Sequence, residues 1–382
     1  MKRRDFLGVV AATTAGRLWA TPAADARFLL VFLRGGYDAA SLLVPASSAF
    51  YYEARPNIAV AKSSCIELDA DWGLHPALRE SVHPLLLKGE AAFVPFAGTD
   101  DLSRSHFETQ DGIELGQPLG RGRDYASGFM GRLAAELGGA RSVAFSEQLP
   151  VAFRGEARVT TASLRFAGRG ALDERQSALI AGMYRDSALD APVKEGFASR
   201  QEMARTLGAE MEAASRGAIG PRNFAQEARR IARLMKDDYR LGFVDVGGWD
   251  THINQVNYLE LRFAELGRGL AALAAEMGPA WRETTVVVVS EFGRTFRENG
   301  NRGTDHGHGT VYWVLGGSVR GGRVAGAQQK IERATLFEDR DYPVLNEYRA
   351  LLGGLFARLY GLEQPRLERV FAGVKPLDLG LL

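Results

Sequence analysis

The sequence predicts an α/β fold built on a mainly parallel sheet, and three observations carry the prediction. The run Phe28-Leu29-Leu30-Val31-Phe32-Leu33 is apolar without interruption, as in a strand buried on both faces. Thr284-Thr285-Val286-Val287-Val288-Val289-Ser290 is a second run of the same kind. Along the chain, strand-length runs alternate with segments of helical spacing, the order that generates crossover connections.

The first residues read as an export signal. Met1-Lys2-Arg3-Arg4-Asp5-Phe6-Leu7 matches the twin-arginine pattern. Gly8 to Ala20 is mildly apolar and too short and polar to span a bilayer, which needs about 20 apolar residues. Ala24-Asp25-Ala26 fits the A-x-A cleavage rule, so residues 1–26 are expected to be removed and the mature chain to begin at Arg27. The Phe28 strand ends in Arg34-Gly35-Gly36-Tyr37-Asp38, a glycine-bearing turn. A helix is expected from Pro76 to Lys88, a short strand near Ala91 to Pro95, and a loop from Asp100 to Ser105. Ser105 starts a helix running from His106 towards Leu115.

Residues 119–238 have a different character, rich in glycine and arginine, and are expected to form helical cover and an insertion within a single domain, 27–382. A strand is expected at Ser142 to Phe145, and helices at Asp173 to Asp186, Glu195 to Ser215 and Asn223 to Tyr239. Order returns with the strand Leu241 to Val246, the turn Gly247-Gly248-Trp249-Asp250, and a long helix from Gln255 to Met277. After the valine strand comes a polar, glycine-rich stretch, Glu291 to Gly309. A strand at Thr310 to Leu315 and a helix within Tyr342 to Tyr360 close the chain.

Composition excludes several classes. The chain of 382 residues has 47 basic and 46 acidic side chains. Lys2, Arg3, Arg4, Arg17, Asp5 and Asp25 belong to the signal, which leaves the mature part near neutrality. That balance gives no reason to expect nucleic acid or an anionic membrane as a partner. No later apolar stretch has transmembrane length, so no integral membrane segment is expected. Cys65 is alone, which rules out an intrachain disulfide and suits a protein that folds before export to the periplasm or beyond.

The residues suited to chemistry follow directly on the expected strands: Asp38, then Asp250 and His252, then Glu291, with His306 and His308 in the loop behind. Ligands of open parallel sheets bind outside the carboxyl ends of the strands. Carboxylates and imidazoles suit a divalent ion, zinc or manganese first, with calcium or magnesium as further candidates. Asp250-Thr251-His252 and His306-Gly307-His308 have i, i+2 spacing, which directs both side chains of an extended segment to one side. Ser105 has two readings: a helix cap, or a hydroxyl activated by a nearby ion. There is no Gly-x-Ser-x-Gly elbow, dinucleotide fingerprint or phosphate-cradling loop.

Arg3-Arg4-Asp5-Phe6-Leu7, Phe32-Leu33-Arg34-Gly35-Gly36-Tyr37-Asp38, Arg104-Ser105-His106-Phe107, Gly248-Trp249-Asp250-Thr251-His252, Ser290-Glu291-Phe292-Gly293-Arg294-Thr295 and Asp305-His306-Gly307-His308-Gly309 occur in that order. The ordered set resembles the exported bacterial family called domain of unknown function 1501, grouped with the alkaline phosphatase and sulfatase superfamily. The resemblance implies a doubly wound fold, helices on both faces of the sheet, and metals at the strand ends. It implies metal ligands at Asp38, Asp250, His252 and at His306 or His308, with His308 preferred, and a nucleophile at Ser105. Glu291-Phe292 stands where the superfamily typically has an adjacent Asp-His pair.

Two functions are expected from this reading. The first is an exported metal-dependent hydrolase of phosphate or sulfate esters, acting on a small or polymeric ester. Asp250, His252 and His308 would hold one ion, and Asp38, Ser105 and Glu291 would line the other half of the site. Ser105 would attack while Arg104 or Arg294 stabilises the equatorial oxygens. The second is a non-catalytic exported binding or scaffolding protein on the same fold. Either would meet the twin-arginine translocase as a partner during export.

Overall fold

The computed structural model describes residues 25–120, 122–162, 182–185, 187, 190 and 224–382. Residues 1–24 of the expected signal and the expected helix Glu195 to Ser215 lie outside the described residues, as does most of Asp173 to Asp186.

The strands are β1 Arg27–Leu33, β2 Leu43–Val44, β3 Ile66–Glu67, β4 Gly73–Leu74, β5 Ala91–Gly98, β6 Ser142–Ala144, β7 Val159–Thr161, β8 Leu241–Val246, β9 Thr284–Ser290, β10 Thr310–Gly316, β11 Arg323–Val324 and β12 Asn346–Glu347. Nine of them form one sheet in the order β11-β5-β10-β9-β1-β8-β6-β7, with β12 also on β5. Only β10 runs antiparallel to its neighbours, so the sheet is mainly parallel, as expected. β2, β4 and β3 form a small antiparallel sheet beside it.

β1 lies at the centre because its side chains are apolar on both faces. Leu29, Val31 and Leu33 pack with Phe263, Leu266 and Leu270 of the helix Gln255–Met277, and with Ile231 and Met235 of the helix Phe224–Asp237. Phe28, Leu30 and Phe32 point the other way. They join Phe129, Met130 and Leu133 of the helix Phe129–Glu136 and Leu352, Leu355 and Phe356 of the helix Tyr348–Tyr360. Leu30 is fully buried, so Leu30→Ala is expected to cost about 2–5 kcal/mol in urea unfolding.

Two elements differ from expectation for reasons of local chemistry. Pro76 to Lys88 is a 3₁₀ turn, Pro76–Leu78, followed by a separate helix, Val82–Leu87. Pro84 has no N–H to give Glu80, so one continuous helix would lose a bond and clash there. The strand expected at Ala91 to Pro95 runs on to Gly98. It carries Pro95 at a register shift against β10, where a missing donor is tolerated.

Register positions the site. Leu33 pairs with both Val246 and Ser290, so the chain leaves β1, β8 and β9 at one level of the sheet. Gly35, Asp250 and Glu291 therefore emerge at one edge. Gly35 has φ +125°, and a Cβ there would lie 2.5 Å from the Asp250 amide nitrogen, so only glycine lets these turns touch.

Candidate metal centre

Three imidazoles and one carboxylate meet at that edge. Asp250 and His252 follow β8, His306 lies in the loop after β9, and His106 is the first residue of the helix His106–Leu115. His106, Asp250 and His306 offer ligand atoms within 4.8 Å of one another. His106 Nε2 is 2.9 Å from His306 Nε2 and 3.6 Å from Asp250 Oδ2. His306 Nε2 is 3.3 Å from Asp250 Oδ1. His252 Nε2 shares this edge, 2.9 Å from Asp250 Oδ1 and 3.3 Å from His306 Nε2.

The other nitrogen of each ring is tied to an acceptor. His106 Nδ1 donates to Glu291 Oε1 at 2.8 Å, His306 Nδ1 to the Arg104 carbonyl at 3.1 Å, and His252 Nδ1 to Asp305 Oδ1 at 3.3 Å. These tautomers follow from the partners, which can only accept. Each neutral ring therefore turns an Nε2 lone pair towards Asp250. Lone pairs do not bond to one another, so the 2.9 Å contact needs a cation or a proton between them. A tetrahedral ion with bonds of about 2.0–2.1 Å spaces its ligand atoms about 3.3 Å apart, and the observed separations bracket that value. The donor set fits a divalent ion, and the outer carboxylates supply the orientation that metal-binding histidines ordinarily have.

Glu291 is fully buried, and its Oε1 accepts from the Gly35 amide at 2.8 Å, Gln110 Nε2 at 2.7 Å and His106. Oε2 accepts from Ser290 Oγ at 2.9 Å. Burial pushes its pKa up, but these bonds, His106 first, outweigh burial and hold it below the ordinary value. Glu291 thus orients a ligand, with no lone pair turned to the cluster. His106 is shifted up, chiefly by the Glu291 bond, whereas burial followed by the His106 and Arg294 charges lowers His306. Phe292 is a wall: its ring centroid lies 4.9 Å from His106 and 5.2 Å from His306.

Arg294 has no exposed side-chain surface and gives Nη2 to Asp250 Oδ1 at 2.6 Å. Its Nε and Nη1 have no hydrogen-bond partner among the described residues. Asp250 is pushed up by burial but held below the usual carboxylate range by Arg294 and His252.

The side chains of other expected site residues are engaged with other partners. Asp38 gives both oxygens to other partners: Arg55 Nη1 and Nη2 at 2.5 and 3.0 Å, Ser41 Oγ at 2.6 Å and Gln255 Nε2 at 2.6 Å. His308 is buried against the Phe337 ring, 5.2 Å between centroids, because the loop bends after Gly307 and is not extended. Ser105 caps its helix, its Oγ accepting from the Glu108 amide at 3.5 Å. Arg104 turns its side chain to Asp341 and Glu338, at 3.0 and 2.6 Å, and contributes only its carbonyl to His306. His106 and Asp305 were not among the expected site residues, although both lie inside motifs singled out in the sequence.

A model of the family described as protein of unknown function (DUF1501) matches residues 25–371. No curated protein matches the chain. Among solved structures, the chain is similar to Ps i-CgsB in complex with k-i-k-neocarrahexaose, with 10% identity, 90% of this chain and 74% of that one covered, and a TM-score of 0.39. It is also similar to a protein in the alkaline phosphatase superfamily from Vibrio parahaemolyticus, with 11% identity, 79% of this chain and 64% of that one covered, and a TM-score of 0.36.

Proposed function

This chain belongs to the family described as protein of unknown function DUF1501, and from that premise we propose that it is an exported metal-dependent hydrolase of phosphate or sulfate esters. One observation carries the reading: His106, His252, His306 and Asp250 converge with three oriented Nε2 lone pairs and a carboxylate. Imidazole nitrogens favour zinc over manganese, calcium or magnesium, which are better matched by oxygen. Such an ion, when bound, acts as a Lewis acid on an ester oxygen. His106, Asp250 and His306 would hold it, with His252 beside Asp250 and His306, while Glu291 and Asp305 would fix the rings and Phe292 would keep water from one side. Arg294 puts a buried positive charge beside Asp250, where it favours an anionic ester.

The capture of Asp38 by Arg55 and the presence of Phe292 favour a second reading, an exported ion-binding or scaffolding protein without turnover. One set of measurements separates the two. Purified protein is expected to contain about one divalent ion per chain by elemental analysis, and Asp250→Ala or His306→Ala to lose it. Turnover of a phosphate or sulfate ester that disappears in both variants supports the hydrolase. An ion without turnover across a broad panel leaves the second reading, and metal-free wild-type protein would sink the hydrolase and leave only the scaffolding form of the second reading. Ser105→Ala tests whether a serine hydroxyl takes part: turnover unchanged with the ion retained removes Ser105 as the nucleophile and leaves it as the helix cap.

A further inference from the structure

The ligands of the centre sit on two loops, 247–254 after β8 and 291–309 after β9, with His106 closing the set from a third element. The distance between the loops decides whether His252 and His306 can share Asp250. Backbone contacts hold them in part: the Thr304 amide donates to the Thr251 carbonyl at 3.2 Å, and that of Asn254 to the Asn301 carbonyl at 2.9 Å. Gly303 packs so closely that a Cβ would lie 2.2 Å from the His252 carbonyl carbon.

One buried side chain completes the link. Gln255 is 1% exposed. Its Oε1 accepts from Thr304 Oγ1 at 2.8 Å and Thr251 Oγ1 at 3.4 Å, and its Nε2 donates to Asp38 Oδ2 at 2.6 Å. Thr251 stands between Asp250 and His252, and Thr304 two residues before His306. We infer that Gln255, anchored on Asp38, is the positioning residue that sets the spacing of the two ligand loops. The inference rests on the metal-centre reading.

An amide suits this place because it accepts on one side and donates on the other. A carboxylate would have nothing to give Asp38. Asp38 is a firm anchor: Arg55 donates to both its oxygens, and also to the Phe296 and Thr295 carbonyls at 2.6 and 3.0 Å. Those carbonyls belong to the loop that carries His306. A carboxylate at the end of β1 thus acts on the centre through the loops, without reaching it.

The test measures zinc affinity by competition with a chromophoric chelator, and the visible spectrum of the cobalt(II)-loaded protein. Gln255→Leu and Thr304→Val are expected to weaken affinity about 10–100-fold and to alter the cobalt spectrum. Thr304→Ser, which keeps the hydroxyl, should restore both. Urea unfolding of the ion-free variants isolates a purely structural effect, which would shift the midpoint and leave the cobalt spectrum unchanged. Should Gln255→Leu fail to fold, Thr304→Val decides. Wild-type affinity and spectrum in the folded variant overturn the inference alone, while wild-type protein that binds neither ion overturns the metal-centre reading and this inference with it.

Discussion

Asp38→Ala is expected to destabilise the fold by about 3–5 kcal/mol, because it leaves a charged group buried without its partner. Arg55 has no exposed side-chain surface, and Asp38 has 1%. Truncating either strands the other, so Arg55→Leu should cost a similar amount. The double variant Asp38→Leu/Arg55→Met should recover much of the loss, since an apolar pair avoids desolvating two ions. The pair also gives a pH dependence with a definite sign. Burial pushes the Asp38 carboxyl up, but the Arg55 charge and the bonds from Arg55, Ser41 and Gln255 outweigh it and hold the pKa down. Its contribution is therefore present above the unfolded value of about 3.9 and is lost as pH falls through the lower folded value. Urea midpoints measured from neutral pH into acid should fall more steeply for the wild type than for Asp38→Asn. Equal slopes, or a cost below about 1 kcal/mol for Asp38→Ala, would contradict a fixed buried ion pair.

The strands were legible because their chemistry is local. An unbroken apolar run needs cover on both faces wherever it lies, and β1 and β9 have it. Asp250 and His252 were legible for the same reason: both leave the end of β8 and meet within 2.9 Å. His306 and His308 show the limit of a spacing argument, which assumes extended backbone. The loop bends, and only His306 reaches the cluster. His106 was hidden in a different way. The residue before it, Ser105, has the chemistry usually sought at a helix start. What marks His106 is a bond to Glu291, 185 positions away, which no local pattern announces. Arg55 is likewise silent in sequence, an arginine between Ala54 and Pro56 whose partner is fixed only by packing. Asp38 was located at the right strand end, but where its carboxylate turns depends on Arg55.

Glu291→Ala should lower divalent-ion affinity about 10–100-fold although Glu291 offers the ion no lone pair. The carboxylate holds the Nδ1 proton of His106 and so keeps Nε2 free, and its negative charge makes that nitrogen a stronger donor. Removing it also leaves the Gly35 amide and Gln110 without their acceptor, at about 1–3 kcal/mol for each buried group. Glu291→Gln separates the two effects. Its amide oxygen can still accept from His106, Gly35 and Gln110, and its NH₂ can donate to Ser290 Oγ, so most of the stability should return. The charge does not return, and affinity should stay below wild type. Chelator competition and urea unfolding on the three proteins read the two quantities separately. Wild-type affinity in Glu291→Ala would mean that His106 is not held for an ion, and that its 2.9 Å approach to His306 is closed by a proton. Affinity that falls in Glu291→Ala and partly recovers in Glu291→Gln, alongside regained stability, would identify a carboxylate that serves the centre by aiming and charging one of its ligands.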